Sequence, residues 1–313
     1  MSESELPVPP AAVAEHTAGN VPTLGAVDLA LIGLVTIWGV NFVVVKAAVA
    51  QFLPLGFTAL RFVFAATMLT AAAALAGLSF RVSRADLGRL ALLGLVGNIL
   101  YQPMFVIGLA HTTAGNSSII LASAPVIVAV ESHFLRVERL SARAWAGVWL
   151  SCLGLGLVIV GGSKTLSLAP ETLLGDVLTL GAAVCWGTYT VMARPVVARL
   201  NPLVVTAYAV LIGAAALLLI ATPSFAAQDW GVVTLGGWAG LLYSGLLAIG
   251  LGYAIWVKGV QRLGGSRTAV YSNLTPIIAT LTGVIFLGEH ITALQIVGAA
   301  CVLGGIVLTR VRG

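Results

Sequence analysis

The chain has 313 residues, of which 59% are apolar and only 9% are charged, with a formal net charge of +5. A water-soluble domain carries about a quarter charged residues, so this composition excludes an ordinary soluble protein and indicates that a bilayer is the solvent. The positive charge does not indicate a nucleic-acid partner, because the basic residues lie mostly in loops between long apolar stretches, as in membrane proteins.

The first 25 residues are rich in Pro, Ala and Glu and carry no basic flank. They predict a disordered cytoplasmic tail, residues 1–25, and not a cleaved signal peptide. Ten apolar stretches follow, each close to the roughly 20 residues that a membrane-spanning helix requires. We therefore predict an all-α integral membrane protein with ten transmembrane helices. The predicted spans are Asp28–Val49, Leu55–Ala76, Leu87–Leu109, Ser117–Phe134, Ala144–Gly161, Leu174–Met192, Leu203–Ala221, Leu235–Val257, Thr268–Leu287 and Ile291–Leu308.

The basic residues are distributed unevenly over the two ends of these spans. Of the 16 Lys and Arg residues, thirteen lie on the side of the N-terminus, two lie on the opposite side and one, Arg61, lies within a span. Cytoplasmic loops are enriched in basic residues. We therefore predict a multi-pass protein of the bacterial inner membrane with both termini in the cytoplasm.

Residues of the first half recur in the second half at a nearly constant spacing, with an offset of 148 that becomes 151 further along the chain. Because each half has five spans, the second copy would cross the membrane upside down, which is the inverted-repeat plan of secondary transporters. We predict two such repeats, residues 26–162 and 173–310. The matched pairs include Trp38 with Trp186, Lys46 with Arg194, Pro54 with Pro202, Thr58 with Thr206, Pro125 with Pro276, Glu138 with Glu289, Gly147 with Gly298 and Gly154 with Gly305.

Three features together resemble the EamA family of the drug/metabolite transporter superfamily. They are the segment WGVNFVVVKAAVAQFLPLGFTALRF (Trp38–Phe62), the paired prolines Pro125 and Pro276, and the segment FLGEHITALQIVGAACVLGGIVL (Phe286–Leu308). The resemblance covers nearly the whole chain after the tail and is greatest to ten-helix bacterial exporters of amino acids, including aromatic ones, and related metabolites. It implies a basket-like bundle around a central cavity, with the fifth and tenth spans at the periphery.

Polar and aromatic residues within the spans are candidates to line this cavity, because polar groups that face lipid are costly. For Ser, Thr and Asn the alternative is a hydrogen bond between helices, and for Trp and Tyr it is an interfacial belt. Asn98, Tyr101 and Gln102 share one helix face by their spacing. The predicted cavity residues are Trp38, Asn41, Asn98, Tyr101, Gln102, Ser123, Trp186, Tyr189, Tyr253, Trp256, Tyr271 and Asn273.

Two cations and two prolines complete the candidate site. Lys46 and Arg61 are predicted near the outer mouth of the pathway, where both side chains could instead extend to the headgroups. The guanidinium of Arg61 could bond to free carbonyls and close the outer end, or it could bind an anionic group of the substrate. Pro125 and Pro276 lie inside spans and are predicted to kink their helices.

The acidic residues of the spans map near the span ends and not at mid-membrane; Glu131 is among them. Proton-coupled antiporters commonly use an intramembrane carboxylate relay, so the sequence favours facilitated movement down a gradient. We predict export of amino acids or related small metabolites by alternating access. A drug or quaternary-cation exporter and a proton-coupled antiporter remain alternatives within the transporter class.

Other classes of function find less support. The sequence contains none of the short motifs of metalloproteases, serine hydrolases or phosphate-binding loops, so we do not expect an enzyme. An ion channel would need a selectivity filter or subunit symmetry, which an inverted repeat does not supply. The three cysteines lie inside spans without a CxxC pair. We therefore expect no metal and no cofactor, and we expect a monomer whose partners are the lipid bilayer and a small-molecule substrate.

Overall fold

The structure is a computed structural model that describes residues 25–111, 120–121, 123–162, 173–275, 277–278 and 292–310. Within these residues the chain forms helices joined by turns and no strands. The uninterrupted helices are α1 (Ala26–Ala48), α2 (Pro54–Leu75), α4 (Ala124–Phe134), α5 (Ala142–Gly162), α6 (Leu173–Val197), α7 (Pro202–Ile220) and α10 (Ala293–Arg310). A short helix, Thr222–Ala227, and a 3₁₀ turn, Trp230–Val232, follow α7.

Helices α3 and α8 each contain a π-helical stretch. Helix α3 consists of Arg84–Gly94, the π-helical Leu95–Leu100 and Tyr101–His111. Helix α8 consists of Leu235–Leu242, the π-helical Tyr243–Leu251 and Gly252–Leu263, and α9 consists of Gly265–Val270 followed by a 3₁₀ turn, Tyr271–Leu274. A π-helical turn holds more residues than an α-helical turn and often occurs at functional sites. It therefore changes the direction in which the following side chains point.

The starts of α2 and α7 show how the sequence sets helix boundaries. Pro54 and Pro202 occupy the first turn of these helices, where the missing N–H and the fixed φ angle of proline are favourable. One turn later, Thr58 and Thr206 each donate a hydrogen bond to the carbonyl of that proline, both at 2.8 Å. Matched residues of the two halves therefore make the same local interactions.

Several helices are suited to a bilayer by length and composition. Among the described residues, four are long and apolar enough to cross a membrane: Pro54–Leu75, Arg84–Gly108, Pro202–Ile220 and Leu235–Leu263. The outer surface of the bundle is also apolar, and it includes leucines of α2 and α7, Leu75 and Leu219, that are 90% and 78% exposed. Lipid is the solvent that makes such exposure favourable.

The predicted fourth and ninth spans are described only in part. Pro125 lies in the first turn of α4, after a turn at Ser123, and the kink remains a prediction. Pro276, the counterpart of Pro125, lies outside the described residues. The side chain of Lys46 also lies outside them.

Helices α5 and α10 pack against each other through glycines. A Cβ atom on Gly147 would lie 2.7 Å from the Gly305 carbonyl oxygen, and one on Gly154 would lie 2.6 Å from that of Gly298. Small residues allow this close approach of backbones. The contacts run antiparallel and are reciprocal, because the sequence repeat matches Gly147 with Gly298 and Gly154 with Gly305. Reciprocal contacts of this kind are the pattern of a two-fold interface.

Candidate functional site

Six of the predicted cavity residues form one aromatic cluster at the centre of the bundle. Trp186 is its hub, since its ring centroid lies between 5.1 and 5.7 Å from those of the five other rings. These distances are within the usual range for favourable ring pairs. The aromatic cluster consists of Trp38 of α1, Tyr101 of α3, Trp186 and Tyr189 of α6, and Tyr253 and Trp256 of α8.

Hydrogen bonds hold two of the indole rings in place. Trp38 donates from Nε1 to the carbonyl oxygen of Ala248 at 2.9 Å, and Trp256 donates to the hydroxyl of Thr190 at 3.1 Å. Ala248 lies in the π-helical stretch of α8. The hydroxyl of Tyr189 is buried and has no partner among the described residues. The cluster therefore combines fixed ring faces with a polar group that a ligand could use.

A buried polar network adjoins the aromatic cluster and is centred on Arg61 of α2. Its Nη1 donates to the Ser244 hydroxyl at 3.0 Å, and its Nη2 donates to Gln102 Oε1 at 3.1 Å. Gln102 in turn donates from Nε2 to the Tyr253 hydroxyl at 3.2 Å. The guanidinium carbon lies 5.1 Å from the ring centroid of Phe57. These contacts join α2, α3 and α8, so the network links helices from both halves of the chain.

The sequence left three roles open for Arg61: extension to the headgroups, closure of the outer end through free carbonyls, and binding of an anionic group of the substrate. The burial and the hydrogen bonds of Arg61 do not match the first two. Its side chain is only 4% exposed, so the guanidinium does not extend to the surface of the bundle. The acceptors of its hydrogen bonds are side-chain oxygens and not carbonyls freed by a proline. In the described part of the chain, the ion pairs join Asp86 to Arg89 and Arg199, each at 2.9 Å, and none reaches Arg61.

Four predicted cavity residues make contacts with other partners instead. Asn98 donates to the carbonyl of Ala209 in α7 at 2.7 Å, and Asn273 donates to the hydroxyl of Ser151 in α5 at 2.9 Å. The Tyr271 hydroxyl donates to Asp28 in α1 at 2.6 Å, and Ser123 bonds locally to the Ile120 carbonyl. For Asn98 and Asn273 the structure therefore shows the inter-helix bonds that were the alternative interpretation. Tyr271 also makes an inter-helix bond, which is neither the cavity position nor the interfacial belt considered for it. The remaining residue, Asn41, has a buried Oδ1 without a partner among the described residues.

Asn98 does not face the same way as Tyr101 and Gln102, although their spacing predicted a shared helix face, and the cause is local. Asn98 lies within the π-helical stretch Leu95–Leu100, and the two other residues follow it. The wider turn breaks the regular spacing from which a shared face was predicted. Gly213 of α7 receives the Asn98 side chain, since a Cβ atom there would lie 2.6 Å from the Cβ of Asn98.

Two residues outside the predicted site join helices at the end expected to be cytoplasmic. The carboxylate of Glu138 accepts hydrogen bonds from the backbone N–H groups of Gly265 and Ser266 at the start of α9. Arg194 of α6 donates to the carbonyls of Val260 and Gln261 near the end of α8. The sequence carried a signal for both, because each has a match in the other half, but it did not show what they contact.

Glu131 lies one turn before the end of α4 and faces α6. Its Oε1 accepts a hydrogen bond from the hydroxyl of Thr188 at 2.9 Å. Its Oε2 is buried and has no partner among the described residues. This position near the end of α4 agrees with the span-end position expected from the sequence. The sequence did not predict the contact with α6.

Comparison with known proteins gives a family and relatives. The chain matches the EamA-like transporter family twice, over residues 25–160 and 173–311. One relative is an uncharacterized transporter of Bacillus subtilis (strain 168), YyaM, 27% identical over 281 residues that cover 88% of this chain and 90% of that protein. Another is a probable terminal-alkyne amino-acid exporter of Streptantibioticus cattleyicolor, 29% identical over 285 residues that cover 90% and 93% of the two chains.

A solved structure, described only as the crystal structure of a protein, has the same fold. It superposes with a TM-score of 0.75 at 21% sequence identity and covers 91% of this chain and 96% of its own. At this level of identity the likeness concerns the fold alone.

Proposed function

The chain belongs to the EamA-like transporter family, and from that premise we propose that this multi-pass membrane transporter exports amino acids or related small metabolites from the bacterial cytoplasm. The observation that carries the proposal is the aromatic cluster beside the Arg61 network, because both lie where the two halves of the chain meet. A transporter site is expected near such an interface. The family membership also argues against an enzyme.

The chemistry of the cluster favours amino acids as substrates. Ring faces of Trp and Tyr attract ammonium groups, and the hydroxyl and amide groups around them offer neutral hydrogen bonds. The relative from Streptantibioticus cattleyicolor, which aligns over 90% of this chain, is named as a probable terminal-alkyne amino-acid exporter. We therefore infer that the site accepts small molecules with an ammonium group and an apolar side chain.

Alternating access by two inverted repeats is the mechanism that we infer. The antiparallel, reciprocal contacts of Gly147 with Gly305 and of Gly154 with Gly298 support the repeats 26–162 and 173–310. The two separate family matches, over 25–160 and 173–311, also support them. Movement of one repeat against the other would open the site to each side of the membrane in turn.

Ten transmembrane helices, cytoplasmic termini and a monomeric state are further parts of the proposal. Positive charge on the loops of one side supports the orientation, and a bundle of ten helices encloses a site without a second copy. We infer facilitated export. The second candidate is a proton-coupled antiporter, which is favoured by the buried Oε2 of Glu131, since this atom has no partner among the described residues.

Uptake of a radiolabelled amino-acid panel into proteoliposomes tests the proposal, with and without an imposed pH gradient. Uptake of several amino acids that does not depend on the pH gradient is the expected result. Uptake that requires the gradient would favour the antiporter. No uptake of any amino acid by folded protein would refute the proposed substrate class.

A further inference from the structure

Arg61 is a cation in the interior of the bundle that lacks an acidic partner among the described residues. Its side chain is 4% exposed, and its hydrogen bonds go to the neutral oxygens of Ser244 and Gln102. Burying a cation is unfavourable unless an anion pairs with it. Ionisable groups inside a membrane protein accordingly mark substrate or ion pathways.

The guanidinium also retains unused hydrogen-bond donors. Of its five N–H groups, one on each Nη binds Ser244 or Gln102, and the buried Nε finds no acceptor in the part of the chain that the structure describes. The guanidinium carbon lies over the ring of Phe57, 5.1 Å from the ring centroid. The edge of the planar fork, which is the part that binds carboxylates, therefore has capacity for a further acceptor.

The unused donors adjoin the aromatic cluster. Arg61 is joined through Gln102 to the hydroxyl of Tyr253, and the ring of Tyr253 lies 5.3 Å from that of Trp186. A small ligand between them would meet a cation on one side and aromatic faces on the other. In the described conformation the rings contact one another, so entry of a ligand between them would require the two halves to move apart.

We propose that Arg61 binds the carboxylate of the transported substrate, while the ring faces of the aromatic cluster hold its ammonium group. Guanidinium and carboxylate groups form paired, charge-assisted hydrogen bonds, and aromatic faces bind ammonium ions. The assignment rests on the proposed function and deepens it. The substrates are zwitterions with a carboxylate close to an ammonium group, whereas amines and quaternary cations without a carboxylate are not carried.

Ligand analogues test this assignment in the wild-type, full-length protein. The three tryptophans of the aromatic cluster report binding by their fluorescence in detergent solution, with L-phenylalanine, phenylalaninamide and phenethylamine as probes. We expect L-phenylalanine to bind about 10- to 100-fold more tightly than the two probes without a carboxylate, the range for losing one hydrogen-bonded charged contact. Equal affinity for all three probes would overturn the proposal.

Substitution of Arg61 tests the same point from the side of the protein. Arg61→Gln should weaken binding of L-phenylalanine by a similar factor and leave phenethylamine unaffected, and Arg61→Lys should recover part of the loss. Arg143→Gln is the matched control, because it removes the same charge at an exposed position in the first turn of α5. Unchanged affinity for L-phenylalanine in Arg61→Gln, or an equal loss for both probes, would overturn the proposal. If Arg61→Gln does not fold, the binding measurements on Arg61→Lys and the analogue series with the wild-type protein test the proposal in its place.

Failure of the proposed function can be distinguished from failure of the Arg61 assignment by experiment. Proteoliposomes that transport no amino acid would refute amino-acid export. The carboxylate site would still be supported if 3-phenylpropionate, which has a carboxylate and no ammonium group, bound in an Arg61-dependent way. Amino-acid uptake that Arg61→Gln leaves unchanged would refute the carboxylate assignment alone.

Discussion

Gln102 donates a hydrogen bond to the hydroxyl of Tyr253, and the two residues are separated by the 151 positions that relate the halves of the sequence. A residue that contacts its own equivalent lies close to a two-fold axis. Trp38 and Trp186, which the offset of 148 relates, are in ring contact as well, at 5.7 Å. The candidate site is therefore built from the residues at which the two halves meet.

The bond between Gln102 and Tyr253 should contribute measurably to stability. Tyr253→Phe or Gln102→Leu leaves a buried polar partner unsatisfied, which costs about 1–3 kcal/mol. The double variant should lose less than the sum, with a coupling of about 0.5–3 kcal/mol for groups in one network. Equilibrium unfolding of the purified single and double variants in detergent measures this coupling. Strict additivity would show that the bond does not contribute.

The glycines between α5 and α10 should tolerate no side chain. Gly154→Ala would place a Cβ atom 2.6 Å from the Gly298 carbonyl oxygen and should force the helices apart, at a cost of about 1–3 kcal/mol for overpacking. Gly156→Ala is the matched control in the same helix, because its Cβ would meet nothing within 4 Å. Removing a helical glycine there should be neutral or stabilising by up to about 1 kcal/mol. Thermal unfolding compares the two, and an equal response would contradict the packing.

The contact of Glu138 with the start of α9 should make Gly264 hard to replace. Gly264 has a φ of 92°, and a Cβ atom on it would lie 2.6 Å from Glu138 Oε1. Gly264→Ala should therefore combine backbone strain of about 1–3 kcal/mol with loss of this contact. Gly77→Ala, at a φ of 66° with nothing within 4 Å, should cost only about 1–2 kcal/mol of strain. Thermal unfolding temperatures that fall equally in both variants would count against a role for Glu138.

If export is facilitated, transport is not coupled to protons and does not require Glu131 as a proton-binding group. Glu131→Gln keeps the shape of the side chain and its acceptor for the hydroxyl of Thr188. Amino-acid uptake into proteoliposomes should be the same as in wild type, within about a factor of two, and should not respond to a pH gradient in either protein. A wild-type response to the gradient that Glu131→Gln abolishes would identify Glu131 as a proton-binding group and favour the antiporter.

Individual residues show how far the sequence predicts the site. The cavity residues are predicted because they are polar or aromatic and lie within the spans. Six of them lie together in the aromatic cluster: Trp38, Tyr101, Trp186, Tyr189, Tyr253 and Trp256. Asn98, Asn273 and Tyr271 meet the same criterion but bond to α7, α5 and α1. Spacing along a helix does not distinguish a residue that faces a neighbouring helix from one that faces the centre, since both directions lead to the interior.

The sequence by itself determined the membrane setting, the helical class and the family. The first two depend on composition and periodicity, and the family depends on the segments that carry the resemblance; all of these are properties of the chain before it folds. The internal repeat remains a prediction. Only the tertiary structure decided which groups share a hydrogen bond. Arg61 meets Ser244 across 183 residues of sequence, and Gln102 meets Tyr253 across 151. Such contacts depend on how each helix is rotated about its own axis. This rotation is set by the π-helical turns of α3 and α8 and by the close packing of helices that are distant in sequence.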